Sequence, residues 1–264
     1  MDLGLKGTVA VVAAASQGLG RAVAMQLARE GASLAICSRK QDAIQTAAAD
    51  IRQQTGVEVV AVVADVSTPE GPEALVHAAV ERFGRLDILV CNAGGPPPGG
   101  FSRQHDDEAW RQAFDLNLLS VVRLIRAAIP YLRQSGRGRI INMVSSSVKQ
   151  PIEGLVLSNA VRSGVIGLAK TLATELAPDG VTVNNIAPGR FDTARIRELD
   201  QARARSLGIT EEQARNEAIK QIPSGRYGRP EEFAYLAAFL ASDKSSYITG
   251  ATVQIDGGMV KSLL

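Results

Sequence analysis

A chain of 264 residues with 45% hydrophobic content is long enough to bury a sizeable core. Its net charge of +2, with acidic and basic residues interspersed, leaves no electrostatic footprint for nucleic acid or an anionic membrane surface. No apolar run approaches the roughly 18 residues of a membrane span, and MDLGLKGTVAVVAAASQG has no basic region before its apolar stretch, so a cytoplasmic protein is expected. Seven short β-branched runs follow in order: TVAVVA (8–13), SLAIC (33–37), EVVAVVAD (58–65), LDILVCNA (86–93), RIINMVS (139–145), VTVNNIAP (181–188) and ATVQID (251–256). Most are apolar without alternation, as strands buried on both faces are, and amphipathic helical patterns separate them. The fold class is therefore α/β, a single doubly wound Rossmann-type domain over 1–264 with a seven-stranded parallel sheet and helices on both faces.

Cys37 and Cys91 fall inside strand runs and read as small buried thiols without a disulfide. The arginines at 133–139 and 195–205 read as solvated faces. Neither His77 nor His105 has metal-ligand spacing around it, and no metal is expected.

After the first strand comes AAASQGLGRAVAMQLAREG, a turn that opens a helix with Ser16, Gly18, Leu19 and Gly20 at its entrance. Glycines there let the backbone approach a pyrophosphate, and the free N–H groups of the helix start favour its charge. The second strand ends in CSRK, so Ser38, Arg39 and Lys40 stand where an acidic residue would accept the hydrogen bonds of an adenosine 2′-hydroxyl. A hydroxyl and two cations suit a 2′-phosphate, which predicts a preference for NADP(H) over NAD(H). GGPPPGG (94–100) reads as a rigid loop over the carboxyl edge of the sheet, where folds of this class bind ligands.

These landmarks resemble the short-chain dehydrogenase/reductase family, and within it the 3-oxoacyl-(acyl-carrier-protein) reductase-like members. The likeness spans the chain and runs through Asp65 and Val66, CNAG (91–94), Leu116 and Asn117, the strand-end Ser145, Pro188 and Gly189, GRYGRPEE (225–232) and ITGATVQIDGG (248–258). It implies that Asp65 and Val66 meet the adenine. It also implies that Asn92, Gly94, Pro188, Gly189 and Thr193 contact the cofactor, that Asn117 and Ser145 are catalytic, that residues of about 190–225 form a lid, and that the protein is a homotetramer. The substrate implied is a small carbonyl or alcohol compound, an acyl thioester among them.

The chain departs from the family pattern twice. Ala13 and Ala14 replace the usual Thr-Gly, and a methyl there opposes positive φ and weighs against cofactor affinity. Thirteen residues after Ser145, where the resemblance places a catalytic Tyr, stands Ser158, and four further on Arg162 replaces the Lys. Taken alone these two read as a helix cap and a residue on a solvated face; in the family's register they are catalytic, with Arg162 also on the cofactor ribose. An alkyl hydroxyl is a far weaker acid than a phenol, and an arginine holds its proton at neutral pH, so the pair can bind and polarise a carbonyl but not relay a proton. Lys149 is the nearest other candidate proton donor in sequence, and reads first as an exposed loop lysine. Two functions are compatible with this pattern: an oxidoreductase with an altered proton donor, and a non-catalytic nucleotide-binding or scaffold descendant.

Overall fold

The computed structural model describes residues 1–101 and 106–263; His105 lies outside them. All seven expected strands form, each end within about two residues of its expected position: β1 (Val9–Val12), β2 (Ser33–Ser38), β3 (Val59–Val63), β4 (Ile88–Cys91), β5 (Arg139–Met143), β6 (Thr182–Pro188) and β7 (Thr252–Ile255). They make one sheet in the order β3-β2-β1-β4-β5-β6-β7 with every pairing parallel. The missing alternation in the sequence is explained by two covered faces. Ala10 and Val12 pack with Val23 and Leu27 of α1 (Gly18–Arg29), Ile44 and Ile51 of α2 (Gln41–Thr55) and Phe233 of α9 (Pro230–Ala241). Val9 and Val11 point the other way, to Leu75 of α3 (Glu70–Phe83), Leu124 of α5 (Ser120–Ser135) and Val165 of α6 (Val156–Leu176).

Because β2 lies on one side of β1 and β4 on the other, α1 after β1 and α5 after β4 cover opposite faces of the sheet, and a crevice opens above the β1–β4 pair. Two features line up beneath it. Gly18 takes φ +61 at the start of α1, and a Cβ on Gly20 would stand 2.6 Å from both the Ala14 carbonyl and the Asn92 side-chain nitrogen. The helix thus rests directly on the turn. Between α4 (Asp107–Phe114) and α5, one π-helical turn, Asp115–Leu119, rotates Asn117 into the interior.

The polar segment beyond β6 folds as α7 (Ala194–Leu207) and α8 (Glu211–Lys220). Thr193 caps α7 by accepting from the Ile196 backbone, and Thr210 with Gln213 forms a reciprocal cap on α8. Asp200, buried, ties the pair to the body: it accepts from the Tyr227 hydroxyl at 2.7 Å and from Arg190 at 3.1 Å. Burial and that carboxylate push the Tyr227 phenol up to about 12.

Two expectations need correction. Arg139 is not on a solvated face but buried at the start of β5, where its guanidinium donates to the carbonyls of Gly138, Gly180 and Ser242 and pairs with Asp243. Three carbonyls gathered from strand and loop ends supply partners that a sequence pattern cannot display. The expectation that a methyl at Ala14 resists positive φ meets a backbone that takes φ +49 there regardless. The turn into α1 enforces it, at a cost of about 1–2 kcal/mol for an L-residue. Replacing Ala14 by Gly is therefore expected to stabilise the protein by about 1 kcal/mol, seen as a higher urea midpoint at unchanged slope; an unmoved midpoint would show that the turn carries no strain.

Candidate active site

The crevice is a cleft of about 480 Å³ that runs from the carboxyl end of β2 across the entrance of α1 to the start of α6 and α7. At one end stand Ser38, Arg39, Asp65 and Val66; in the middle Ser16, Gly18, Leu19, Gly20, Asn92 and Gly94; at the other end Ser145, Ser158, Arg162, Pro188, Gly189 and Thr193. Nearly all the residues singled out in the sequence meet here. Lys40, Asn117 and Lys149 do not line the cleft.

At the first end, Arg39 is 76% exposed and only 4.0 Å from the Asp65 carboxylate, a loose pair of the kind that contributes little. Asp65 is held by its own loop, accepting from the Ser67 backbone and hydroxyl at 2.9 and 2.7 Å. The Ser38 hydroxyl donates to the Lys40 carbonyl, which fixes the corner after β2. Cys37 and Cys91 are both free and buried; burial raises the Cys37 thiol to about 11, so it lines the cleft as an inert neutral group.

In the middle, the Asn92 amide donates to the carbonyls of Ala13 and Ala14 at 3.2 and 3.1 Å and so locks the turn below α1 against the end of β4. Asn117 reaches the site from behind: its amide nitrogen donates 2.9 Å to the Gly94 carbonyl, while its Oδ1 is buried without a protein partner. That oxygen is a ready acceptor for a water at the back of the cleft.

The far end overturns the bland local reading of Ser158 and Arg162. Helix α6 begins at Val156, so Ser158 is inside its first turn, not its cap, and both residues face inward, 7% and 8% exposed. The Arg162 guanidinium donates to the carbonyls of Met143 at 3.1 Å, Val144 at 3.4 Å and Gly94 at 3.5 Å. Burial, and after it the nearby Arg195 guanidinium, push Arg162 down to about 10, which still leaves it a cation at neutral pH. The Ser145 hydroxyl accepts from the Ser147 backbone at 3.1 Å, a hydrogen bond that orients it at the end of β5.

Met143, Leu155, Phe191, Ile196 and Leu199 make this end apolar, and the sequence reading missed them all. Arg195, read there as solvated, is 44% exposed and also lines the cleft, which the sequence reading did not foresee. Arg195 leans over Gly95 and donates to the Pro96 carbonyl at 3.1 Å. Only the return of the chain after β6 brings it to the GGPPPGG loop, 99 residues earlier. That loop is pinned along its length, since Gly99 also exchanges backbone hydrogen bonds with Gly154 and Val156.

The chain matches the family model described as enoyl-(acyl carrier protein) reductase over residues 13–260. It is 36% identical over 256 residues to a short-chain dehydrogenase/reductase of Aspergillus oryzae, a match covering 97% of this chain and 95% of that one. The chain belongs to the short-chain dehydrogenase/reductase family. It is also 35% identical to the 3-oxoacyl-[acyl-carrier-protein] reductase of Vibrio cholerae, over 97% of this chain and 99% of the other. Among solved structures it is similar to the L-sorbose reductase of Gluconobacter frateurii, complexed there with NADPH and L-sorbose, at a TM-score of 0.95, 34% identity and 100% coverage of both chains. Among the described residues no helix is long and apolar enough to cross a membrane, and no cluster of His, Cys, Asp and Glu could hold a metal ion.

Proposed function

We propose that this short-chain dehydrogenase/reductase is an NADP(H)-dependent carbonyl reductase, or the dehydrogenase of the corresponding alcohol, in which Ser158 and Arg162 stand in place of a proton-donating Tyr–Lys pair. The observation that carries this reading is the convergence of Ser145, Ser158 and Arg162 on one end of a cleft whose middle is the glycine-lined start of α1. The cradle suits a dinucleotide: Gly20 leaves no room for a Cβ, so the helix start rests on the turn after β1, and Gly18, Leu19 and Gly20 line the cleft where a pyrophosphate would meet backbone N–H groups. Asp65 and Val66 take the adenine, and Asn92, Gly94, Pro188, Gly189 and Thr193 take the nicotinamide half. When bound, NADPH supplies a hydride to the carbonyl carbon and leaves as NADP⁺.

The chain's own residues polarise and position. The hydroxyls of Ser145 and Ser158 hydrogen-bond the carbonyl oxygen, and Arg162, fixed by backbone carbonyls, stabilises negative charge there without giving up its proton. Water supplies the proton to the oxygen, with Asn117 Oδ1 holding a water behind the cleft. Loss of a phenolic donor costs roughly 10²–10⁴ in rate, which positioning and electrostatic stabilisation leave affordable. Helices α7 and α8 cover the substrate as a lid anchored to the body through Asp200 of α7. A non-catalytic reading draws support from the same guanidinium, because its bonds to Met143, Val144 and Gly94 give Arg162 a structural task that needs no chemistry.

Calorimetry with each nucleotide is expected to show NADPH binding more tightly than NADH, with the order reversed in Arg39→Asp; equal affinities in the unmodified protein would remove the role given to Ser38, Arg39 and Lys40. Changing Ser158→Tyr and Arg162→Lys together is expected to raise ketone reduction about tenfold or more, each alone doing little, because a phenol and the cation that tunes it act as a unit. A double variant that is about 1–3 kcal/mol less stable and no more active would favour the non-catalytic reading.

We also propose a homotetramer. An apolar groove between α4 and α6, lined by Trp110, Phe114, Leu118, Val161 and Gly164, leaves Phe114 45% exposed and supports association through α6. Sedimentation at micromolar concentration should show no monomer, and a purely monomeric species would contradict it.

A further inference from the structure

The substrate end of the cleft holds two guanidinium groups and no carboxylate. Among the described lining residues the one carboxylate is Asp65, at the opposite end beside Arg39. Other arginines around the lid have close acidic partners: Arg190 has Asp200 at 3.1 Å and Arg197 has Asp192 at 3.0 Å. Arg162 has none. Its bonds to the carbonyls of Met143, Val144 and Gly94 use three of the five N–H groups of a guanidinium, and those carbonyls solvate the charge without neutralising it. A buried cation left without a counter-charge is costly, by several kcal/mol in general.

Arg195 adds to the imbalance. It sits in the first turn of α7, where the helix dipole disfavours a cation and where no acidic residue is present. Its one carboxylate, Glu198, is 3.6 Å away on the solvent side and 65% exposed, a weak surface pair. Arg195 and Arg162 are fixed to the same short segment, through the carbonyls of Pro96 and Gly94, and the proximity of the two cations depresses Arg162 further. The apolar walls supplied by Leu155, Phe191 and Leu199 lower the polarity around the buried Arg162 and strengthen charge pairing there, while Arg195 stays 44% exposed at the mouth.

We propose that this corner is a carboxylate-binding subsite formed by Arg162 and Arg195, and that the carbonyl compound handled here is an oxo acid whose carboxylate the two guanidiniums hold. The substrate assignment rests on the reductase reading above; the anion subsite does not. The substrate enters as the anion, its carboxylate pairs with the Arg195 fork and the free donors of Arg162, and its ketone faces Ser145 and Ser158. An ester or a neutral sugar of similar size leaves Arg162 without a counter-charge and Arg195 with only its weak surface partner Glu198, and is discriminated against on that ground.

The test is calorimetry on the full chain, with and without saturating NADPH, using acetoacetate and 2-oxobutanoate against their methyl esters. The acids are expected to bind at least tenfold more tightly than the esters in the presence of NADPH. Arg195→Gln should reduce that preference about tenfold to a hundredfold with NADPH affinity little changed, and Arg195→Lys should restore part of it. Arg195 is the residue to vary because it is partly exposed, whereas removing Arg162 endangers the fold. Acids and esters binding alike while NADPH still binds would overturn the subsite and leave the reductase reading standing. Acid preference without NADPH binding would leave the subsite and overturn the reductase. Competition between acid and NADPH would show that the two arginines serve a cofactor phosphate, and would overturn the proposal.

Discussion

A buried guanidinium is the constraint on which the working end of this protein depends. Arg162 rises from the second turn of α6 into the gap between the end of β5 and the loop after β4, and its donors meet the carbonyls of Met143, Val144 and Gly94. Met143 ends β5 and Val144 and Gly94 lie just beyond their strands, so an interior without Arg162 would lose a donor to carbonyls at the sheet's edge and gain a void. The same charge that completes their bonding fixes the polarity of the pocket. Every further feature of the substrate end, from the apolar wall to the placing of Ser158, is arranged around a cation that cannot leave and does not titrate at neutral pH.

The nucleotide end is built differently, by close approach of backbone instead of by charge. The turn after β1 is held down by the Asn92 amide on two successive carbonyls and pressed from above by α1 through Gly20. Ala14 is forced into the left-handed region by this packing, and the sheet order explains why the force cannot be relieved. Strands β2 and β4 flank β1, so the turn has no freedom to drift sideways, and local strain is held by tertiary structure. The GGPPPGG loop is held at the far end, its Gly94 carbonyl shared by Asn117 and Arg162 and its Pro96 carbonyl held by Arg195.

The segment beyond β6 makes the cleft's outer wall from a composition that looks like solvated surface. Its polar helices are tied at one buried carboxylate, Asp200, that joins Tyr227 and Arg190. With its anchor inside and its arginines distributed between carboxylates and the cleft, the segment can present Arg195 and Ile196 to the substrate while Glu198 remains in water.

The sequence by itself determined the layers and the place of the site. Strand runs without alternation required a sheet covered on both faces, and a glycine-rich turn after the first of them put a nucleotide cradle at its carboxyl edge; both are local, periodic signals. The register from Ser145 through Ser158 to Arg162 was legible only as what the family resemblance implies, since taken alone the two helix residues read as a cap and a solvated face. What only tertiary structure decided are the properties set by residues far apart in the chain. Burial of Arg139 depended on carbonyls at 180 and 242, the strained φ of Ala14 on Asn92 and Gly20, and the arrival of Arg195 at Pro96 on the whole path of the chain through β5, α6 and β6. An arginine's letter and neighbours are the same on a wet helix and in a dry cleft; desolvation and the absence of a nearby carboxylate distinguish them, and both are properties of packing.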